Sequence, residues 1–236
     1  RVTAVVAVAD FGRDSMVLAT ERGEVKRTPL AEFESVRRNG LIAMRLEEGD
    51  RLVEARPARE TSDALLVSSD GQAIRFTVGS LRVASRTSGG VRGMTLRGAA
   101  VVIAMAVDED GEDLLVVSER GAGKRTPIDE YPRKGRGGQG VQTFRVTPKT
   151  GALSVARMVS AAQELVLVSE QGIVLRTSAG SISQQGRATQ GVQVMRLAAD
   201  DDRVASVARV DIAEGIVEGA DVSDAAEDAP AEPAGA

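Results

Sequence analysis

The chain contains no cysteine, no histidine and no tryptophan, and its aromatic side chains are one tyrosine, Tyr131, and four phenylalanines. Without Cys or His it has no disulfide, no thiolate or imidazole metal site, and no catalytic triad built on a histidine base or a cysteine nucleophile. Carboxylate sites and Ser/Lys pairs remain open to it. No run of about 18 apolar residues is present to span a bilayer, and the start does not read as a signal peptide, so a soluble, cytoplasmic protein is expected. The sequence opens at Arg1 inside a strand-like run (Val2, Val5, Val6, Val8), which suggests a piece of something longer.

The 236 residues, 42% hydrophobic, suffice for one large or two small cores. The net charge of −4 is unevenly spread. From Asp211 onward there are eight acidic residues and no Lys or Arg, which leaves 30 basic against 26 acidic residues, or +4, in 1–210. A tail of Ala, Pro and acid buries too little apolar surface to offset its ordering entropy, so 211–236 is expected to be disordered.

Within 1–210 the dominant feature is a repeat. Gly40, Gly90, Gly140 and Gly191 recur at spacings of 50, 50 and 51 residues. Each repeat has an apolar run, clearest in VVIAMAV at 101–107, and then a strand of one type: MVLAT (16–20), ALLVS (64–68), LLVVS (114–118) and LVLVS (165–169). A turn at Gly23, Gly71, Gly121 or Gly172 follows, and then a strand with an arginine four positions on, which reads as a β-hairpin. A polar loop leads to the recurrent glycine and a last run with apolar residues at Leu41/Met44, Val91/Met94, Val141/Phe144 and Val192/Met195. With no helical periodicity, the pattern predicts an all-β fold of four four-stranded, propeller-like blades near 1–46, 47–96, 97–146 and 147–197, with a closing strand at 203–210.

Basic residues recur in phase with the repeat. Lys26 and Arg27, Arg75, Lys124 and Arg125, and Arg176 lie on the third strands; Arg37 and Arg38, Arg86, Arg133 with Lys134 and Arg136, and Arg187 precede the recurrent glycines. Blades around an axis would bring these to one rim, a belt suited to the phosphates of double-stranded DNA. The loop KGRGGQG at 134–140 is the best single candidate, because Gly137, Gly138 and Gly140 let the backbone approach a phosphate. A tight connection with solvated cations is the plainer reading of one such loop; repetition in phase argues against it. For the third-strand cations, protection of a sheet edge weighs as much as phosphate contact. Tyr131 in DEYP has no neighbouring general base and is read as packing. The acids Asp108–Asp110 and Asp200–Asp202 fall at turns, where acids are ordinary, rather than forming a metal site.

The segments GEVKRTPL…NGLIAMRL, GQAIRFTV…GGVRGMTL, GAGKRTPI…GQGVQTFRV and GIVLRTSA…QGVQVMRL resemble the blades of the C-terminal domain of the bacterial DNA gyrase A subunit, with the corresponding domain of topoisomerase IV close behind. The resemblance covers nearly all of 1–210. It implies a six-bladed β-pinwheel with strand exchange, of which these would be the last four blades, wrapping DNA on a basic rim to direct ATP-dependent negative supercoiling. KGRGGQG matches the RGG and last Gly of the family's box, consensus QRRGGKG, which belongs to the first blade; QGRATQG at 185–191 keeps the Gln, Arg and final Gly. The resemblance places the catalytic tyrosine, ATP and Mg elsewhere in an assembly with the gyrase B subunit and a second A subunit, and assigns no catalytic residue, metal or cofactor to this segment. Topoisomerase IV, and a protein-binding propeller with merely solubilising charges, remain as alternatives. The acidic tail could compete with DNA for the rim.

Overall fold

The computed structural model describes residues 5, 6, 8, 10, 11, 14–35 and 40–210. Four hairpins form its frame: β1 (Ser15–Thr20) with β2 (Glu24–Pro29), β4 (Asp63–Ser68) with β5 (Gln72–Thr77), β8 (Asp113–Ser118) with β9 (Ala122–Pro127), and β12 (Glu164–Ser169) with β13 (Val174–Ser178). Strands rich in Val and Leu suit a surface packed on both sides, and β4 and β8 are buried along their whole length. The turn glycines Gly23, Gly71, Gly121 and Gly172 hold φ of 86°, 82°, 81° and 89°, a region open to glycine at little cost.

Each first hairpin strand also pairs, antiparallel, with a long strand further along the chain: β1 with β3 (Leu52–Ala58), β4 with β7 (Val102–Val107), β8 with β11 (Leu153–Val159) and β12 with β15 (Val204–Val210). On the other side, β2 pairs with β6 (Val91–Arg92), β5 with β10 (Val141–Gln142) and β9 with β14 (Val192–Gln193). The resulting sheet orders are β3-β1-β2-β6, β7-β4-β5-β10, β11-β8-β9-β14 and β15-β12-β13. Strands β3, β7, β11 and β15 lie successively against one another, so the four sheets follow as propeller blades.

The blades differ from the expected repeat boundaries. Each of the first three combines the hairpin of one repeat with both flanking strands of the next: the hairpin of 97–146 is completed by β11 and β14, from 147–197. Strand exchange is therefore built into the sheets. The fourth hairpin has β15 but no strand on the outer edge of β13 among the described residues, and Leu41–Leu46 likewise joins no sheet. Val5, Val6 and Val8 lie outside any strand; the rest of that expected run, and the tail 211–236, fall outside the described residues.

Exchange explains the hairpin glycines further. The amides of Thr143 and Phe144 both donate to the Gly71 carbonyl, and a Cβ on Gly71 would lie 2.3 Å from the Phe144 oxygen. The cores lie between blades: Val17, Val25, Leu66, Ile74, Phe76, Met94 and Met105 fill the first gap, and Leu65, Val116, Tyr131, Phe144 and Met158 the second. Met94, Phe144 and Met195 are all buried, so each exchanged segment anchors itself with one large side chain, and Met44 is buried at the equivalent place. Burial of such a side chain contributes roughly 1.5–3 kcal/mol.

Candidate nucleic-acid interface

Past each third strand the chain makes a short 3-10 turn and runs briefly parallel to that same strand of the preceding repeat, through the bridges Arg27↔Val83, Arg75↔Arg133 and Arg125↔Gln184. This sets three loops in register along one edge and brings Arg86, Arg136 and Arg187 to equivalent places, four residues before Gly90, Gly140 and Gly191.

The three arginines are tied along the edge. Nη1 of Arg86 donates to the Ile42 carbonyl (2.9 Å), that of Arg136 to Arg92 (3.1 Å) and that of Arg187 to Gln142 (3.2 Å), acceptors that are themselves equivalent positions. The backbone repeats the link: the amides of Arg45, Thr95 and Arg145 donate to the carbonyls of Ser88, Gly138 and Thr189. Every loop thus rests on the segment leading out of the loop before it, and the rim is one continuous chain of contacts.

In the loop 134–140, Lys134 and Arg136 are exposed, and the Lys134 amide is fixed on the Arg75 carbonyl at 2.8 Å. The Gly137 amide donates to Gly93 (2.6 Å), while Thr95 bonds the carbonyls of Gly137 and Gly138. Gly140, at φ 81°, lies where a Cβ would come 2.3 Å from the Ala73 oxygen. The amides of Gly135 and Arg136 make no hydrogen bond to the described residues, leaving two donors beside two exposed cations. Arg133 is 64% exposed in its side chain and pairs with Asp63 at 2.5 Å.

The third-strand cations lie elsewhere than the surface belt expected for them. Lys26, Arg27, Lys124 and Arg125 are buried, and Arg75 nearly so. Lys26 Nζ donates to three carbonyls, those of Ala43 (2.8 Å), Arg86 (2.6 Å) and Ser88 (3.0 Å), which satisfies the ammonium completely. Lys124 Nζ donates to Gly186 and to Arg187 (2.8 Å). Arg27 bonds Ser15 Oγ (3.1 Å) and pairs with Glu60 (3.3 Å). Arg75 pairs with Asp63 at 2.7 Å and reaches the carbonyls of Ile128 and Tyr131; Arg125 pairs with Asp113 and reaches Ile182 (3.0 Å). Their strands β2, β5 and β9 are internal to their sheets, so edge protection does not apply either. Donors engaged by buried carboxylates and carbonyls are withheld from phosphate. Arg176, on the open edge strand β13, is the exception: it is 66% exposed and pairs with Glu164 at 3.3 Å. Arg37 and Arg38 lie outside the described residues.

Burial also sets the ionisation of this inner layer. It pushes the ammonium of Lys124 down to about 8, with Glu130 opposing and Arg187 reinforcing the shift, and it lowers Lys26 too. Burial pushes Asp63 up, but hydrogen bonds from Arg133, Arg75 and Thr77 overcome it and hold the carboxyl below the ordinary range. Tyr131 is buried, its hydroxyl 2.6 Å from Thr143 Oγ1, and burial raises it to about 12; a phenol so protonated is packing, not a nucleophile. Among the described residues no group of three or more acids is placed to hold a metal ion. Asp202 instead accepts from the amides of Gln171 and Arg203.

Sequence reasoning missed part of the exposed charge. Arg45, Arg145 and Arg196 each follow the buried Met or Phe four residues past a recurrent glycine and are exposed, as are Arg92 and Arg97. The signal was the arginine of AMRL, TFRV and VMRL, which alternation turns outward next to an inward-facing anchor.

Four hairpin-centred sheets in propeller sequence, linked by strand exchange and edged by a repeated basic loop, define a pinwheel-type domain with a cationic rim. The chain belongs to the family described as "DNA gyrase C-terminal domain, beta-propeller", which matches residues 14–59, 62–107, 112–159 and 163–211, each a hairpin plus the long strand that follows it. It is 44% identical over 184 residues to the DNA gyrase A subunit of Pseudomonas aeruginosa, covering 78% of this chain and 20% of that protein. It is 40% identical over 215 residues to the DNA gyrase A subunit of Dehalogenimonas lykanthroporepellens, covering 88% and 26%. The chain therefore spans about a quarter or less of these relatives. Among solved structures it is similar to a DNA gyrase A C-terminal domain (TM-score 0.78, 29% identity, 86% of this chain and 68% of that one). Its likeness to the C-terminal domain of DNA topoisomerase IV (TM-score 0.79, 22% identity, 86% and 64%) concerns the fold.

Proposed function

We propose that the rim binds and wraps duplex DNA as the C-terminal part of a DNA gyrase A protein, presenting a segment of fixed handedness for strand passage and so directing negative supercoiling. The observation that carries this is the in-register series Arg86, Arg136 and Arg187, chained loop to loop, with exposed Lys134 and two amides free of the described residues in the loop between. Successive phosphate contacts along a curved rim can offset the several kcal/mol that bending a duplex costs. Curated relatives at 40–44% identity are gyrase A proteins, which favours gyrase over topoisomerase IV. In this reading the partners are double-stranded DNA, the gyrase B subunit and a second A subunit in the cytoplasm. ATP, Mg and the cleaving tyrosine belong to other parts of that assembly.

Duplex affinity across a salt series tests the reading. Changing Arg136, Lys134 and Arg187 to Ala is expected to weaken binding and to reduce the slope of log K against log salt by about one per lost contact. Unchanged affinity and slope would rule out the rim, and absence of DNA bending at low salt would favour a protein-binding propeller.

A further inference from the structure

The three rim loops are not mounted in the same way. Beneath the first, Lys26 Nζ donates to the Arg86 carbonyl at 2.6 Å, and Glu32 Oε2 accepts from the Arg86 amide at 2.8 Å. Beneath the third, Lys124 Nζ donates to the Arg187 carbonyl at 2.8 Å, and Glu130 Oε2 accepts from the Arg187 amide at 3.0 Å. In both, one buried ammonium and one exposed carboxylate of the same hairpin unit grip the rim arginine's residue by its own N–H and C=O. The pair is spaced by six residues each time, lysine on the third strand and glutamate in the 3-10 turn. Under the middle loop the equivalent positions are Ile74 and Ser80, and Arg136 has neither contact; Ile74 Cδ1 instead lies 3.6 Å from where a Cβ on Gly138 would stand.

Taking the rim as the DNA-binding surface, we propose that Lys26 with Glu32, and Lys124 with Glu130, are positioning residues that preset Arg86 and Arg187 for phosphate, while Arg136 is left to the glycines of its own loop. The chemistry supports this division. A buried ammonium is costly to hold and is retained where it makes charge-assisted bonds to carbonyls. Fixing the peptide on both sides removes backbone freedom that would otherwise be lost on binding, which is the general gain of preorganisation. The carboxylate also occupies the amide of the rim arginine itself, so at that position the first and third loops offer the side chain only, and main-chain donation is left to Arg136.

The test is a mutant cycle in the full chain, read by duplex anisotropy with urea midpoints in parallel. Lys124→Met is expected to weaken binding about five-fold, as is Arg187→Ala, and the double variant is expected to be no weaker than either, because the lysine acts through that arginine. Lys124→Met with Arg136→Ala is expected to multiply. Glu130 is at the surface, so Glu130→Ala serves if Lys124→Met does not fold: it should reproduce the loss, and Glu130→Gln, which keeps the acceptor, should restore it. Arg187→Ala weakening binding while neither Glu130→Ala nor Lys124→Met does would overturn the positioning role and leave the rim standing. Equal multiplication of Lys124→Met with Arg187→Ala and with Arg136→Ala would also overturn it, as a general packing effect. If neither Arg136→Ala nor Arg187→Ala alters binding, the rim reading falls and the positioning role with it.

Discussion

Lys124 shows how a repeated cation can be buried on its strand and hold an exposed loop by its carbonyls. Its folded value of about 8 lies below the 10.5 of a free lysine, so from about pH 8 to 10.5 the unfolded chain binds the extra proton. Over that window the residue adds stability as pH rises, by at most about 1.4 kcal/mol per pH unit. Thermal midpoints of the native chain should therefore climb relative to those of Lys124→Met between pH 8 and about 9.5. Tyr131, raised to about 12 from 10.0, has the opposite sign: the unfolded phenol ionises first, and its contribution is lost as pH rises above 10. At the acid side Asp63, fully buried and shared by Arg75 and Arg133, is the sensitive group. Removing it leaves Arg75 without its carboxylate, and Asp63→Ala should cost about 3–5 kcal/mol in urea unfolding.

At the scale of elements, strand exchange makes a turn glycine answer for two things at once. A Cβ on Gly121 would meet the Met195 oxygen at 2.1 Å, whereas a Cβ on Gly172, of nearly the same φ, would meet nothing within 4 Å because no strand crosses that turn among the described residues. Gly172→Ala should therefore cost only the backbone strain, roughly 1–3 kcal/mol, and Gly121→Ala clearly more, with β14 detached from β9; chemical denaturation and amide exchange at Val192 and Gln193 would show the difference. The same feature marks the limit of what could be read beforehand. The hairpins were legible because a glycine turn between two apolar runs is a local signal. Exchange was reached only through the family resemblance, because Val25 and Val91 meet across 66 positions and two residues of pairing leave no pattern in the chain. Blade boundaries drawn from the repeat consequently split every sheet.

For the molecule as a whole, the repeat made the rim arginines legible, since four residues before each recurrent glycine is a fixed place in a fold of identical units. It failed for Lys26, Arg27, Arg75, Lys124 and Arg125, because a strand enclosed between neighbours has no solvent face, and charge alone does not reveal that carbonyls of the next repeat, with a carboxylate of the same hairpin for Arg75 and Arg125, will surround it. The outer layer of cations and the inner layer that holds the loops are thus distinct sets, separated only by three-dimensional packing. The central claim is that the outer layer bends duplex DNA with a defined handedness. Ligating a nicked circular DNA at low salt with and without the chain, and then resolving topoisomers after the protein is removed, reads that handedness directly. The account predicts a shifted linking-number distribution that shrinks with added salt and is largely lost when Arg86, Arg136 and Arg187 are all changed to Ala. A distribution centred at the same linking number with and without the native chain would contradict it.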